Sequence, residues 1–507
     1  MYEAASIVFA PSTLGLLFVS VALGILFGII PGLTATLAVI LLIPITYGME
    51  ATVGIAVLVA LYIGGISGGL VSAILLGMPG TPSSIATTFD GYPMTKKGLA
   101  SRALKTGIIA NLVGTMFSWL FLVTIAPQIA EIALKFKAVE YVAVIIFGLT
   151  TVISLSGDSY LKGLIACVFG LLLTTIGTDP STGVERNTLG MTDLLLSGLD
   201  PTPAMIGMFV VAEVFNSLKP TQMDNVKAED LEVRDQKVDL RELAGSSWNF
   251  IRSSLIGVAI GILPGLGGNL SSIVSYERAK KASKDPDSYG TGNPEGLIAS
   301  ETANNATIGG AMIPMLALGI PGDIVTAALI GGLMLHGLQP GPMLFLEHPT
   351  FVNGIYLSFA VSAIFMFLIM YLASDRILPK LLLVPKRYLM PVVLIACTAG
   401  CYNINYNIND VWTSTIFGLL GLLFARYNFP ITPVIISMIL GKILEVQLRT
   451  ALIDTGGSVV PFFTQPISCV FLLMAIASTY YSLRKKIQLK KMFSIRGSIR
   501  NLRKRSE

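Results

Sequence analysis

Asp323 follows Pro321-Gly322 directly, at the head of an apolar stretch, and Asn304 and Asn305 stand side by side in Glu301-Thr302-Ala303-Asn304-Asn305-Ala306-Thr307. A carboxylate in such a setting can hold a cation together with unwound backbone carbonyls, or it can cap the helix that follows; the two roles are compatible. An amide can donate to a carboxylate or offer its oxygen to Na⁺, whereas its structural use would be a hydrogen bond between helices. Two adjacent amides within an apolar run favour ligand contact. Glu301 is a further proton or cation site, or a residue near water at the helix start.

The elements that must position these residues are four Pro-Gly breaks in apolar runs: Pro31-Gly32, Pro79-Gly80, Pro264-Gly265 and Pro321-Gly322. In Leu75-Leu76-Gly77-Met78-Pro79-Gly80-Thr81-Pro82-Ser83-Ser84, Gly77 suits a left-handed helix end, Thr81 an N-cap and Pro82 a first helical position. This predicts a broken helix whose free N–H groups face a small space and favour an anion. Irregular backbone survives at membrane depth only where it is buried in protein or lines a cavity. One break reads equally well as a kink, but four arranged as two pairs point to a ligand site. The expected substrate-binding residues are Gly32, Thr34, Pro79, Gly80, Thr81, Ser83, Gly265, Asn269, Asn304, Asn305, Pro321 and Gly322; the expected cation-binding residues are Asp323, Asn304 and Asn305. The glycines are read as leaving room for close approach of a substrate.

The chain has 507 residues, 53% of them hydrophobic and only 13% charged, where soluble proteins carry about 25% charge. Its apolar runs predict an all-α polytopic membrane protein of about 11–12 crossings, the shorter runs being hairpin arms beside the Pro-Gly turns. The short alternating segments of a β-barrel are absent from the sequence. Four regions follow: a first membrane repeat over 1–218, a polar cytoplasmic linker over 219–247, a second membrane repeat over 248–483, and a basic cytoplasmic tail over 484–507. The polar segment from Asp179 to Pro203 is expected outside the cytoplasm.

The halves resemble each other. Gly28-Ile29-Ile30-Pro31-Gly32-Leu33 matches Gly261-Ile262-Leu263-Pro264-Gly265-Leu266, and Gly77-Met78-Pro79-Gly80 matches Gly319-Ile320-Pro321-Gly322, with Gly68 aligned to Gly310. The basic loop follows the second motif in the first half but the first motif in the second half. A basic loop that changes places implies opposite orientation in the membrane, hence two inverted-topology repeats built on broken helices.

Other polar residues are read as structural. Asp90, in Asp90-Gly91-Tyr92-Pro93, suits a turn at the cytoplasmic edge. Cys397 and Cys401 are small core residues, and His336 is structural or interfacial. There is no P-loop lysine motif, no His-Glu-x-x-His helix and no Gly-x-Ser-x-Gly elbow, so no enzyme is expected and ATP is not the expected energy source. A nucleic-acid partner is not expected. A channel or scaffold is the alternative to a coupled transporter, and a homo-oligomer is compatible with the sequence.

In Gly28–Gly32, Ala73–Pro82, Phe89–Met94, Pro264–Gly268, Ala303–Ala306, Gly319–Gly322 and His336–Pro342 the chain resembles the large membrane subunit of the tripartite tricarboxylate transporter family. These stretches span nearly the first 350 residues; one departure is Gly77, where the family often has Asn. The resemblance implies a multi-pass subunit of the bacterial inner membrane, partnered by a small membrane subunit and a periplasmic solute-binding protein. It implies a small organic carboxylate as substrate, of the tricarboxylate (citrate-like) or dicarboxylate class. Symport with Na⁺ or H⁺ would drive uptake, with no other cofactor. Membrane lipids complete the expected partners.

Overall fold

The computed structural model describes residues 1–155, 159–180, 182–191, 195–217, 233–265, 267–384, 386–480 and 482. Residues 219–232 of the expected linker, the tail over 484–507, and Leu266 of the third Pro-Gly turn lie outside the described residues. The chain forms two compact units, Met1–Lys135 with Leu199–Arg426, and Phe136–Gly198 with Tyr427–Glu507.

The first unit opens with α1 (Tyr2–Val8), α2 (Pro11–Ile29), α3 (Ala35–Thr46), α4 (Ala51–Leu76), α5 (Thr87–Lys96) and α6 (Ala100–Ala133). The second unit takes α7 (Ala138–Leu155), α8 (Tyr160–Thr174) and a short antiparallel ribbon, β1 (Gly177–Thr178) against β2 (Glu185–Arg186), the only strands among the described residues. The first unit resumes with α9 (Pro201–Met205), a π-helical turn and α10 (Ala212–Ser217). It continues through α11 (Leu240–Gly245), α12 (Ser247–Ile262), α13 (Gly267–Ala282), α14 (Pro294–Leu318) and α15 (Ile324–Leu335). It ends with α16 (Pro342–Glu347), α17 (Pro349–Ala373), α18 (Leu378–Leu381), α19 (Lys386–Asn405) and α20 (Ile408–Arg426). The second unit closes with α21 (Thr432–Asp454), α22 (Val460–Thr464) and the apolar helix Pro466–Tyr480. Among the described residues, the five helices α2, α4, α6, α17 and α20 are long and apolar enough to cross a membrane, and seven shorter apolar helices accompany them. The chain is therefore an all-α polytopic membrane protein.

The first unit is built around α4 and α14. Helix α14 is buried from Gly296 through Ala317, and α4 is buried over nearly its whole length. Each ends at a left-handed glycine, Gly77 (φ 67°) and Gly319 (φ 71°), as a helix C-terminus without Cβ strain requires. Two neighbours pack on them alike. A Cβ on Gly28 of α2 would stand 2.2 Å from the carbonyl oxygen of Gly65 and 3.0 Å from the Cα of Gly68. A Cβ on Gly261 of α12 would stand 2.8 Å from the carbonyl oxygen of Thr307 and 2.9 Å from the Cα of Gly310. Backbones can approach this closely only through small residues, the usual way apolar helices pack in lipid. The two Pro-Gly repeats of the sequence thus recur as two copies of one helix contact.

The described part of the linker is tied down. Lys105 on α6 pairs with Asp235 (2.5 Å) and Asp375 (2.8 Å), and the Gln236 N–H donates to the Ser101 hydroxyl. The Lys105 ammonium holds the Asp235 carboxyl below its usual range. In the second unit, Arg186 of β2 grips Glu445 with two nitrogens (2.5 and 2.6 Å), and Arg449 grips Asp179 likewise (2.8 and 2.7 Å). These paired forks fix the ribbon against α21.

Candidate functional site

The two tips after the second Pro-Gly of each repeat differ in detail. Thr81 has the extended backbone of an N-cap, but only a three-residue 3₁₀ turn, Pro82–Ser84, follows it before α5 begins at Thr87. The Thr81 hydroxyl makes no capping bond to the backbone, contrary to the expectation; it lies 3.0 Å from the Ser83 hydroxyl and 2.9 Å from that of Ser84. Asp323 is a full cap of α15. Its Oδ1 accepts from the Thr326 N–H at 2.8 Å, and the Thr326 hydroxyl accepts from the Asp323 N–H at 2.8 Å. Its other oxygen, Oδ2, accepts a short hydrogen bond from the Tyr62 hydroxyl of α4.

The adjacent amides face different surroundings, as residues one apart on a helix must. The Asn305 oxygen accepts from Ser67 at 2.6 Å and from Thr115 at 3.4 Å, and its nitrogen donates to the Glu301 carbonyl at 3.3 Å. One atom of the Asn111 amide lies 2.7 Å from both Asn305 Nδ2 and Glu301 Oε2: as oxygen it accepts from Asn305, and turned over as nitrogen it donates to Glu301. The remaining Glu301 oxygen accepts from the Thr87 hydroxyl. Asn305 and Glu301 therefore belong to a closed, buried network joining α4, α5, α6 and α14. Glu301 is fully buried rather than near water.

Asn304 is buried to 1% exposure, and neither atom of its amide makes a hydrogen bond of normal geometry, although its side chain lies near enough to the Glu301 carboxyl to act on it. A buried amide left unpaired costs about 1–3 kcal/mol, so a group that pairs with it gains by that amount. The start of α13 lies against it. A Cβ on Gly268 would stand 2.5 Å from Asn304 Oδ1 and 3.0 Å from Ser83 Cβ, and one on Gly267 would be 3.6 Å from Asp323 Cβ. The Ser272 hydroxyl donates to the Ser83 carbonyl at 2.9 Å, holding α13 to the first tip. One helix start thus touches Asp323 on one side and Asn304 with Ser83 on the other.

Several expected residues serve elsewhere. Gly80 and Gly322 do not open space for a ligand: a Cβ would stand 2.2 Å from the Gly28 carbonyl oxygen and 2.5 Å from Ala311 Cα, respectively. Three backbone donors of the turns are also engaged internally, because buried N–H groups must be paired. The Gly80 N–H donates to the Gly69 carbonyl (3.3 Å), that of Gly265 to the Gly322 carbonyl (2.7 Å), and that of Asp323 to Thr326. Thr34 caps α3 by accepting from the Leu37 N–H at 3.2 Å. Gly32 and Asn269 are exposed, Pro79 is half-buried and Pro321 is buried. Among the described residues no hydrogen bond joins Gly32, Thr34, Pro79 or Asn269 to the Asn304 group.

Asp90 corrects a further expectation. It lies within α5, fully buried, and accepts from the N–H groups of Gly290 (2.9 Å), Gly292 (2.7 Å) and Asn293 (2.8 Å) and from the Tyr276 hydroxyl (2.9 Å). It anchors the loop before α14 rather than forming a surface turn. Sequence reasoning missed Tyr62, Ser67, Thr87, Asn111 and Thr115. Two signals were present: Tyr62 puts a phenol, and Asn111 an amide, into long apolar runs where each needs a partner.

Comparison with known proteins matches residues 14–436 to the family model described as the tripartite tricarboxylate transporter TctA family. Two proteins of Agrobacterium vitis are similar. The chain is 36% identical over 475 residues to an "Uncharacterized 52.8 kDa protein in TAR-I ttuC' 3'region", covering 94% of each. It is 34% identical over 235 residues to an "Uncharacterized protein in TAR-II ttuC' 3'region", covering 46% of this chain and 97% of that one. No solved structure matches. A family match over residues 14–436, together with a relative 36% identical across 94% of its length, shows that this chain belongs to the tripartite tricarboxylate transporter TctA family.

Proposed function

We propose that this transporter subunit performs ion-gradient-driven uptake of small organic carboxylates across the bacterial inner membrane. The substrate, of the tricarboxylate or dicarboxylate class, is handed over by a periplasmic binding protein, and a small membrane subunit completes the complex. The observation that carries this reading is the unpaired Asn304 amide, buried against Ser83 and Gly268 at the meeting point of the two tips. Its nitrogen donates to a substrate carboxylate, and the hydroxyls of Thr81 and Ser83 add donors. Since three turn N–H groups are occupied, side chains supply most of this recognition. Asp323 holds the coupling cation, Na⁺ or H⁺: its Oδ2 is released when the Tyr62 hydroxyl turns away. Gly267-Gly268, which touches both sides, links occupancy of one to the other. The two repeats lie inverted in the membrane, and alternating access moves the tips as a body past a scaffold, an elevator. Fold analogy supports this last step.

The test is uptake into vesicles carrying the chain with its two partners, across a panel of tri-, di- and monocarboxylates, with Na⁺ and pH gradients imposed separately. Accumulation against a gradient only when one ion gradient is present supports coupling. Equilibration without a gradient, unaffected by Asn304→Ala or Asp323→Asn, overturns it in favour of a channel.

A further inference from the structure

The end of the α12–α13 pair away from its Pro-Gly turn has a feature that the transport site does not use. Trp248, Arg252 and Ile256 of α12 and Arg278, Lys281 and Ala282 of α13 line a cleft of about 430 Å³. Three cations therefore converge on one small space. Arg252 donates to the Asn249 oxygen at 2.5 Å, which orients its guanidinium, while its Nε is buried without a partner. Among the described residues neither Glu277 nor Glu295 forms an ion pair with any of the three; Glu295 is instead bound by Ser246 and Asn249. Like charges gathered with no carboxylate paired directly to any of them repel, so the cluster favours an anion.

The surface leading away from the cleft identifies the anion's other end. Trp248 is 68% exposed, and Ile251 and Leu255 of α12 are exposed near it, with Ile256 half-buried. These positions recur at helical spacing and form one apolar stripe. Trp248 at the charged end of that stripe is placed as an indole at the boundary of headgroups and acyl chains. A cationic cleft at one end of an exposed apolar stripe matches a phosphodiester joined to acyl chains, and a small polar anion would leave the stripe unused.

We propose that this cleft binds an anionic phospholipid of the cytoplasmic leaflet. Its phosphodiester sits among Arg252, Arg278 and Lys281, and an acyl chain lies along Ile251 and Leu255. Basic pockets between helices on the cytoplasmic side suit such headgroups. Because α12 and α13 flank the third Pro-Gly turn, the lipid holds the base of the arm whose tip reaches Asn304.

Native mass spectrometry of the full chain in neutral detergent tests this, with phosphatidylglycerol and phosphatidylcholine of matched acyl chains as probes. Phosphatidylglycerol binds in preference to phosphatidylcholine, and its affinity falls by about tenfold or more in the triple variant R252Q/R278Q/K281Q. It is unchanged in R376Q/K380Q, which removes a basic pair elsewhere. The double variant R278Q/K281Q alters only exposed side chains and shows a smaller loss in the same direction, so the test stands even if the triple variant is not monodisperse. Equal retention of both lipids, or unchanged phosphatidylglycerol binding in the double variant, overturns the proposal. Displacement of bound lipid by inorganic phosphate alone also overturns it, because the site would then take a free anion.

Discussion

The hydroxyl of Tyr62, on a helix of the first Pro-Gly repeat, donates to Oδ2 of Asp323, the cap of the helix that opens the second tip of the other repeat. This bond ties the repeats together at a carboxylate whose other oxygen is committed to its own helix. Removing the donor with Tyr62→Phe leaves the cap intact and frees Oδ2. The expected outcome is unchanged expression, a changed dependence of uptake on Na⁺ or on pH, and little change in substrate preference. A hydrogen bond to a charged group is worth about 1.5–3 kcal/mol, so the half-saturating ion concentration should move by roughly tenfold or more. Ion-titrated uptake in vesicles measures it.

Asn304 and Asn305 give opposite outcomes although they are neighbours. Asn304→Ala removes an amide that makes no hydrogen bond of normal geometry within the protein, so the thermal midpoint of the purified protein stays level or rises slightly. Substrate affinity falls by about 1–3 kcal/mol. Asn305→Ala leaves Ser67 and Asn111 without a shared partner and lowers stability by about 1–3 kcal/mol. Thermal unfolding with and without a carboxylate separates the two. Stability loss in the first and none in the second would reverse the assignment.

Gly80→Val and Gly322→Val fail at the level of folding rather than of substrate contact, because the new Cβ meets backbone atoms at 2.2 and 2.5 Å. Size-exclusion profiles of the solubilised protein show aggregation or loss of material for both. Gly15→Ala is the internal control: it lies in α2 with helical backbone, and its Cβ meets nothing within 4 Å, so the protein keeps its stability.

Asp90→Ala strips three N–H groups and a phenol of one shared acceptor. The loop around Gly290 and Gly292 then loosens, with a stability loss of about 1–3 kcal/mol or more. Faster proteolysis between Ser288 and Asn293 and a lowered thermal midpoint are the readouts.

Membrane orientation follows from cysteine labelling at exposed positions, Lys97 and Ala282 from the cytoplasm and Gln339 from the periplasm. Ser101 is buried and unsuited to the purpose. Labelling of 282 and 339 from the same side would remove the inverted arrangement.

What the sequence determined by itself is what depends on local chemistry. Apolar runs made the chain a helical membrane protein, because only helices satisfy their own backbone in lipid. Gly77 and Gly319 ended the two central helices, since a left-handed end favours a residue without Cβ. The Pro-Gly motifs marked where helices break, and Asp323 marked a cap. The tertiary structure alone decided which polar groups are spent on one another. Nothing in the order Asn304-Asn305 says that one amide closes a network with Ser67 and Asn111 while the other stays unpaired beside Gly268. Nor does it say that Asp90 meets a loop some 200 residues later, or that the Gly80 and Gly322 positions are filled by neighbouring backbone. Those outcomes depend on which helices come to touch, and in a buried membrane core a donor is free only if no neighbour has taken it.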